Sequence, residues 1–303
     1  MKRNVRAVAQ RLILSALLML VVSPVALATD TLARIIETKT IRLGYQEDAF
    51  PFSYVEKQRP VGYSIDLCQE IVGALKTQLK LKTLTIEWVA SSTASQFVLL
   101  NNHTADMMCL PGFYSHTRQA QVEFSAPFYF SRTRFVTRKE DGDTTIEALS
   151  GHTVLVKSGT IYVEQLHKLN LNNALNLNIS LDNNNSNAFH DIQDGEFTAL
   201  VSSTVLLQGM IAQSPHPEEF VLSDDVLSPP IPAGLLLPLK DEKFKRCIDE
   251  IMMTIITGSK FNAIYQKWFL SPIPPRGINL NIPMSESLKA LTTSQSRAVY
   301  HYE

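Results

Sequence analysis

The chain has 303 residues, of which 45% are hydrophobic and 19% charged, and its 28 basic and 29 acidic side chains leave a formal net charge of −1. This balance is typical of a folded globular protein and excludes collagenous, disordered and nucleic-acid-coating chains. The apolar residues are unevenly distributed, because residues 12–27 are almost wholly apolar and follow a leader with four basic side chains. That pattern is typical of a secretory signal peptide.

The end of the apolar run predicts where the leader is removed. Ala26, Leu27 and Ala28 form a small-x-small cleavage pattern, and Pro24 interrupts the run just upstream. We therefore expect residues 1–28 to be a signal peptide and the mature chain to be exported to the periplasm. An uncleaved membrane anchor is the alternative, and the shortness of the apolar run disfavours it.

Removal of residues 1–28 takes away four basic and no acidic side chains, so the mature 275 residues carry a net charge of −5. A chain with this charge offers no basic surface suited to nucleic acid. No later stretch reaches the roughly 18 uncharged apolar residues that a membrane span needs.

The three cysteines are Cys68, Cys109 and Cys247, and an odd number allows at most one internal disulfide. Each lies among apolar residues, which favours three small buried side chains. Whether Cys68 and Cys109 meet stays open. No spacing of cysteine or histidine indicates a metal site, and we expect neither a metal nor another cofactor.

The predicted elements after the leader alternate between strand and helix. Strands are predicted at residues 40–45, 83–89 and 106–110, and helices at residues 65–79 and 94–100 lie between them. Such a β-α-β-α-β order favours an α/β lobe with a mainly parallel sheet.

A second α/β set follows. Nine asparagines in residues 170–187 suggest turns and loops there, and a long amphipathic helical stretch is predicted over residues 241–270, ahead of a partly irregular tail. The strands predicted for this set cover residues 134–138, 153–156, 177–181 and 198–202, and its helices cover residues 163–169 and 188–193.

The mature length exceeds one typical hydrophobic core and suggests two lobes. The proline-rich residues 228–232 and residues 131–134 are interpreted as the two crossings between them. Lobe 1 is then residues 29–132 plus 233–303, including a C-terminal extension, and lobe 2 is residues 133–232.

Four short motifs follow one another along the chain. Each has an ordinary explanation by itself: a core phenylalanine, a helix start, a solvated arginine and a helix N-cap. They are Pro51-Phe52-Ser53-Tyr54, Gly62-Tyr63-Ser64-Ile65-Asp66, Arg118 with the later Phe124-Ser125-Ala126-Pro127-Phe128, and Lys157-Ser158-Gly159-Thr160.

Taken together and in this order, the motifs resemble the periplasmic solute-binding proteins of family 3, the receptors of polar amino-acid ABC transporters. The resemblance covers about residues 40–291, and residues 267–276 look like an unusual C-terminal extension found in one branch of the family. It implies an α/β, type II periplasmic-binding-protein fold with two hinge crossings and a ligand held in the cleft between two closing lobes.

The resemblance also implies a set of ligand contacts. Arg118 matches the arginine that binds the ligand carboxylate, for which a guanidinium offers paired donors and a permanent charge. Ser158 and Thr160 match the second-lobe carboxylate contact at a helix N-terminus. Phe52 matches the aromatic residue that packs on the ligand.

Two departures concern the ligand's amino group. The family's Gly-Ser/Thr-x-Thr element falls at Leu110-Pro111-Gly112-Phe113, so its hydroxyls are missing. The family's acidic partner for the ammonium falls at Ser203 or Thr204, and neither is charged. Whether the ligand carries an ammonium stays open, since Glu47 or Asp48 could replace the missing carboxylate.

A third departure concerns a second ligand carboxylate. In members that bind acidic amino acids, two arginines hold this group, and an ungapped alignment places Gln46 and Gln96 at their positions. Neutral amides are poor substitutes for guanidinium groups. The resemblance therefore predicts a ligand with one carboxylate and a neutral polar or apolar remainder.

The sequence thus predicts a monomeric, non-enzymatic periplasmic receptor that hands a small solute to an ABC permease in the inner membrane. A dehydratase-like enzyme or a ligand-sensing, partner-binding module are the alternatives. Paired carboxylates, a nucleophile elbow or metal spacing would favour the enzyme, and the sequence shows none of them.

Overall fold

The structure is a computed structural model that describes residues 30–293. The predicted signal peptide and the last ten residues of the predicted tail lie outside the described residues. Within the described range, every helix is too short or too polar to cross a membrane.

The described chain alternates between strands and helices. In chain order the strands are β1 (Thr40–Tyr45), β2 (Asp48–Ala49), β3 (Ser53–Glu56), β4 (Arg59–Val61), β5 (Thr85–Ala90), β6 (Met107–Phe113), β7 (Glu123–Phe124), β8 (Tyr129–Ser131), β9 (Thr133–Arg138), β10 (Thr153–Lys157), β11 (Asn178–Asp182), β12 (Ala199–Ser203), β13 (Phe220–Leu222) and β14 (Ile231–Leu237). The helices are α1 (Thr31–Thr38), α2 (Tyr63–Gln78), α3 (Gln96–Asn101), α4 (His116–Gln119), α5 (Ile161–Asn172), α6 (Asn185–Gln193), α7 (Thr204–Gln213), α8 (Glu242–Ile256), α9 (Ser259–Phe269) and α10 (Glu286–Thr292).

One sheet has six strands, in the order β5-β1-β6-β14-β7, with β8 paired to another part of β14. Strand β1 runs parallel to β5 and β6, as a β-α-β-α-β start requires. Strand β14 returns from the second half of the chain and runs antiparallel to β6, β7 and β8. We call the part of the molecule built on this sheet lobe 1.

The second sheet has five strands, in the order β11-β10-β12-β9-β13, and we call the part built on it lobe 2. Strand β10 runs parallel to β11 and β12, and β9 runs antiparallel to β12 and β13. The polypeptide enters this sheet directly after β8 and leaves it after β13. A small antiparallel sheet of β2, β3 and β4 lies between β1 and α2 in the chain.

An aromatic cluster fixes the helices of lobe 1 against its sheet. The rings of Tyr63 and Phe269 are 4.9 Å apart, and those of Phe52 and Tyr129 are 5.0 Å apart. The Tyr63 hydroxyl donates to the carbonyl of Phe128 at 3.1 Å, so the polar atom of this fully buried ring has a partner. Helices α2 and α9 are thereby held together by large apolar side chains.

Two expectations from the sequence were wrong. The helical stretch predicted over residues 241–270 is two helices, because Gly258 adopts an extended conformation and begins α9 as its N-cap. The expectation that all three cysteines are small buried thiols holds for Cys247 only. Cys68 on α2 and Cys109 on β6 form a disulfide in lobe 1, with 6.0 Å between their Cα atoms.

Candidate functional site

A cavity of about 50 Å³ lies between the two lobes and receives side chains from both. Its walls are formed where strands end and helices begin, the usual position for ligand sites in α/β proteins. From lobe 1 it is lined by Gln46, Ala49, Thr93, Gln96, Leu110, Pro111, Phe113 and Arg118, and from lobe 2 by Lys157, Thr160, Ile161, Tyr162, Asn185, Ser202 and Leu206.

Arg118 is the most unusual lining residue, because it is a guanidinium with only 9% of its surface exposed. It lies on the short helix α4, whose N-cap Ser115 accepts a hydrogen bond from the Arg118 backbone N–H. The ring of Phe97 lies 5.6 Å from its Cζ atom and supports the planar group by a cation–π contact. The side chain is therefore held in position before any ligand arrives.

The hydrogen bonds of the Arg118 guanidinium are made to backbone carbonyls. Nη1 donates to the carbonyl of Phe113 at 3.3 Å, and Nη2 donates across the cleft to the carbonyl of Gly159 at 2.8 Å. Across residues 30–293, no carboxylate forms an ion pair with this group. Burial lowers the pKa of Arg118, which is the expected effect on a cation that lacks a counter-charge.

The loop opposite Arg118 turns at Gly159, where the backbone has a φ of +71° that favours glycine. The Thr160 hydroxyl donates to the carbonyl of Lys157 at 2.6 Å and does not cap α5, although Thr160 occupies the N-cap position. The Ser158 backbone N–H donates to the carbonyl of Asp182 at 2.7 Å. The loop is thus anchored to β10 and β11 by its own hydrogen bonds.

A second cation in the cleft, Lys157, is paired across the lobes. Its ammonium lies 3.0 Å from Oδ2 and 3.3 Å from Oδ1 of Asp48. The same carboxylate accepts from the backbone N–H of Asn185 at 2.8 Å, and the Asn185 side chain donates to the Asp48 carbonyl at 3.2 Å. Asp48 therefore joins lobe 1 to two elements of lobe 2, the end of β10 and the start of α6.

Three buried polar atoms at or beside the cavity make no hydrogen bond of good geometry, namely Gln96 Oε1, Tyr162 Oη and Ser203 Oγ. Tyr162 and Ser203 lie close enough to interact weakly. Burial raises the pKa of Tyr162 well above its usual range, and this contact with Ser203 and the charge of Arg118 oppose the rise. Buried polar atoms normally find partners, so unpaired atoms in a cleft mark places where a ligand atom fits.

A neighbouring cavity of about 150 Å³ is larger but has a different character. It shares Asn185 and Leu206 with the first cavity and extends to Pro274 and Arg276 of the C-terminal extension. Within the described chain, none of its lining residues has a buried side-chain polar atom without a partner. Unsatisfied donors and acceptors thus single out the smaller cavity as the candidate site.

Eight candidate residues lie at family ligand positions, because Gln46, Gln96, Gly112 and Ser203 replace family contacts and Phe52, Arg118, Ser158 and Thr160 match them. The structure brings four of the eight to the cavity wall: Gln46, Gln96, Arg118 and Thr160. Ser203 is buried just behind the wall, beside Tyr162, and Ser158 lies outside it.

Phe52 and Gly112 also lie outside the cavity wall. Phe52 is fully buried in the aromatic cluster of lobe 1. Gly112 pairs with Gly234 of β14, and a side chain at this position would come within 2.2 Å of Leu236. In this structure these two positions contribute to the packing of lobe 1.

Sequence reasoning did not select Lys157, Tyr162 or Asn185 as ligand contacts, and it considered Asp48 only as a possible partner for an ammonium. A signal for Lys157 was present, because it ends a strand whose other residues are mostly apolar, Thr153–Lys157. The carboxyl ends of parallel strands point to the ligand side of such sheets. No local pattern distinguishes Tyr162, which reads as an ordinary residue of α5.

Comparison with known proteins gives a consistent result. A family model described as bacterial extracellular solute-binding proteins, family 3, matches residues 41–271. The chain is 33% identical over 268 residues to an L-glutamate/L-aspartate-binding protein of Pseudomonas aeruginosa, covering 88% of each chain. It is 30% identical over 265 residues to a glutamate/aspartate import solute-binding protein of Escherichia coli, covering 87% of each chain.

Solved structures support the same fold. The solute receptor for L-cysteine of Neisseria gonorrhoeae superimposes with a TM-score of 0.69 at 19% identity, covering 79% of this chain and 93% of the receptor. An ancestral arginine-binding protein bound to glutamine superimposes with a TM-score of 0.67 at 21% identity, covering 76% and 98%. The predicted two-lobed α/β, type II fold is confirmed.

Proposed function

The chain belongs to the bacterial extracellular solute-binding proteins of family 3, and we propose that it captures a small solute with one carboxylate in the periplasm and delivers it to an ABC permease. Residues 1–28 act as the signal peptide in this proposal. The receptor works as a monomer, without metal or cofactor, and has no enzymatic activity. The solute is an amino acid with a neutral side chain or a related organic acid.

The observation that carries the proposal is the buried Arg118 guanidinium without a carboxylate partner. Removing a charged group from water is costly unless an opposite charge compensates it. The guanidinium lines the cavity and donates to two backbone carbonyls, which leaves part of its five N–H donors for a ligand, and a planar carboxylate is the group best matched to its paired N–H bonds. A carboxylate-bearing solute supplies the missing negative charge.

Hinge closure follows from the distribution of the contacts. We propose that lobe 1 comprises residues 29–132 plus 233–303, that lobe 2 comprises residues 133–232, and that the crossings near residues 131–134 and 228–232 form the hinge. A solute held by Arg118 from lobe 1 and by Tyr162 or Asn185 from lobe 2 stabilises only the closed form. Binding then shifts the open–closed equilibrium, which a permease can recognise.

The relatives named for glutamate and aspartate suggest a ligand with two carboxylates, but the cavity argues for one. Gln46 and Gln96, at the positions of the two arginines of acidic-amino-acid receptors, both line the wall as neutral amides. The Gln46 amide is already within 3.4 Å of the Thr93 hydroxyl. A second carboxylate would have to be desolvated without a free cation beside it, because Lys157 is paired with Asp48.

A ligand screen with a matched pair of arginine variants tests the proposal. The mature protein, stripped of ligand by unfolding and refolding, is screened by thermal shift against amino acids, dicarboxylates and small organic acids. We expect a rise in Tm with one class of monocarboxylate, its loss in Arg118→Ala, and its retention in Arg246→Ala, whose side chain is exposed on α8. Binding by Arg118→Ala as tight as that of the wild type would overturn the proposal.

A further inference from the structure

The charged groups around the cavity indicate whether the ligand carries an ammonium group. Resting on the proposed solute-binding function, we infer that the solute is a small hydroxycarboxylic acid that carries no ammonium. Three features of the cavity support this assignment: the charged groups of its wall, the ion pair made by the carboxylate beside it, and the unpaired polar atoms.

The ionisable side chains of the wall that are charged at neutral pH are both cations. Arg118 and Lys157 supply positive charge, and the other described lining residues are uncharged at neutral pH. The carboxylate of a bound amino acid would pair with Arg118, and Lys157 is already paired with Asp48, so the ammonium would face no anionic partner on this wall. A cation removed from water without an opposite charge is strongly destabilised.

Asp48 is the carboxylate nearest to this wall among the contacts described above, and lobe 2 already occupies it. Its Oδ2 accepts from both Lys157 Nζ and the Asn185 backbone N–H, and its Oδ1 lies 3.3 Å from Lys157 Nζ. To bind a ligand ammonium, Asp48 would have to release Lys157, which is 5% exposed. Asp48 would then compensate the ligand ammonium but leave the buried Lys157 ammonium without a counter-charge, so the exchange would not favour binding.

The unpaired atoms favour a neutral group that both donates and accepts. Gln96 Oε1 requires a donor, whereas the hydroxyls of Tyr162 and Ser203 can donate or accept. A ligand hydroxyl satisfies the amide oxygen and can accept in return, whereas an ammonium can only donate. A carboxylate on Arg118 with an adjacent hydroxyl thus matches the donors and acceptors that the protein leaves unpaired.

The size of the cavity restricts the useful probes. Its volume of about 50 Å³ is about a third of the roughly 150 Å³ that accommodates benzene in an engineered cavity. The shortest hydroxy acids are therefore the best first ligands. Glycolate with glycine, and L-lactate with L-alanine, are pairs that differ only in a hydroxyl for an ammonium.

Calorimetric titration of the stripped mature protein with these two pairs tests the inference. We expect each hydroxy acid to bind at least about tenfold more tightly than its amino-acid counterpart, because the hydroxyl finds a hydrogen-bond partner in the cavity and the ammonium is buried without an anionic one. Tighter binding of glycine or alanine that depends on Arg118 would overturn the inference and leave the receptor function standing. Binding of no acid to the wild type would overturn both.

A charge introduced into the wall gives a second, independent test. Gln96→Glu replaces a neutral amide by a carboxylate of the same shape, and Gln78→Glu makes the same substitution at an exposed position at the end of α2, outside the cavity wall. We expect Gln96→Glu to lower the hydroxy-acid preference by about tenfold or more, since it supplies a partner for an ammonium, and Gln78→Glu to leave the preference unchanged. Equal effects of the two variants, or no effect of Gln96→Glu, would show that charge does not set the preference.

Discussion

The ammonium of Lys157 and the carboxylate of Asp48 form an ion pair across the cleft, with 3.0 Å between Nζ and Oδ2 and both side chains largely buried. The residues are 109 positions apart in the chain and belong to different lobes. Because the Asn185 backbone N–H donates to the same carboxylate, one side chain of lobe 1 holds two elements of lobe 2. The protein itself therefore contributes a contact between the lobes, and opening of the proposed hinge would break it.

Asp48→Asn is expected to shift the free protein towards the open form. The substitution leaves the Lys157 ammonium without its counter-charge, and removing one partner of a buried pair typically costs about 3–5 kcal/mol. Opening the cleft lets the ammonium reach water and avoids most of this cost. Distances between spin labels on the two lobes, measured by pulsed electron resonance without ligand, should lengthen in the variant.

Glu47→Gln is the matched control, because its side chain is adjacent and exposed and makes no ion pair within the described chain. It should leave the distance distribution of the wild type unchanged. If Asp48→Asn also leaves it unchanged, the ion pair does not contribute to closure. A double-mutant cycle with Lys157→Met then measures what remains of the coupling.

Reduction of the Cys68–Cys109 disulfide is expected to lower stability by about 4 kcal/mol, from the loss of a cross-link between residues 41 positions apart. Urea unfolding of the mature protein with and without dithiothreitol measures the difference. The double variant Cys68→Ala/Cys109→Ala should match the reduced wild type and show no further response to reductant.

Cys247→Ala provides the comparison for this experiment, because Cys247 is a free, buried thiol on α8. This variant should keep the full response to dithiothreitol, whatever it loses in packing. A wild-type protein whose urea midpoint does not respond to reductant would contradict the prediction.

The strands and most of the helices could be predicted from the sequence because they follow from the local spacing of apolar residues. Strand β1 was predicted with the bounds that the structure shows, Thr40–Tyr45, since apolar residues alternate through it. The break at Gly258 was missed because the amphipathic pattern continues on both sides of a single glycine. Apolar neighbours around Cys68 and Cys109 fit a buried thiol and a buried disulfide equally well, so composition could not choose between them.

The candidate site was less accessible from the sequence because it is assembled from both lobes. Arg118 was selected through the family resemblance, since its local sequence suits a solvated surface residue. The pairing of Lys157 with Asp48 depends on how the lobes meet, and no local pattern contains that information. Phe52 shows the converse problem, because a motif match gives a position in the chain and the fold decides whether the side chain reaches the cleft.

Tyr162→Phe is expected to weaken solute binding without lowering the stability of the fold. The Tyr162 hydroxyl is buried and makes no hydrogen bond of good geometry, with only a weak contact to Ser203, so its removal should leave the free energy of unfolding within about 1 kcal/mol of the wild type or raise it. Affinity for the solute should fall, because the ligand loses a donor from lobe 2. Urea unfolding and calorimetric titration of the same preparation give the two quantities.

Tyr63→Phe is the matched control for this prediction, since the Tyr63 hydroxyl donates to the carbonyl of Phe128 inside lobe 1. It should lose stability and keep the affinity of the wild type. Equal loss of stability in both variants, with no change in affinity for Tyr162→Phe, would mean that the Tyr162 hydroxyl is a structural group.

Alkaline pH is expected to unfold the protein through its buried tyrosines. Burial raises the pKa of Tyr63, Tyr129, Tyr162 and Tyr265 above the usual value, and raises that of Tyr54 to about 12. A tyrosine whose pKa is higher in the folded state keeps its full contribution to stability below the unfolded pKa of about 10. Above that pH the unfolded chain releases protons that the folded chain retains, so stability falls as the pH rises towards the folded pKa.

Absorbance of tyrosinate and far-ultraviolet circular dichroism, followed together from pH 8 to about 12.5, measure this effect. The buried tyrosines should ionise in the same cooperative step that removes the secondary structure. Tyr265→Phe removes one tyrosine whose pKa is raised by burial. Stability should therefore fall less between neutral pH and alkaline pH in the variant than in the wild type, whatever stability the substitution costs at neutral pH. Ionisation of all tyrosines near pH 10 with the circular dichroism intact would show that solvent reaches the aromatic cluster of lobe 1.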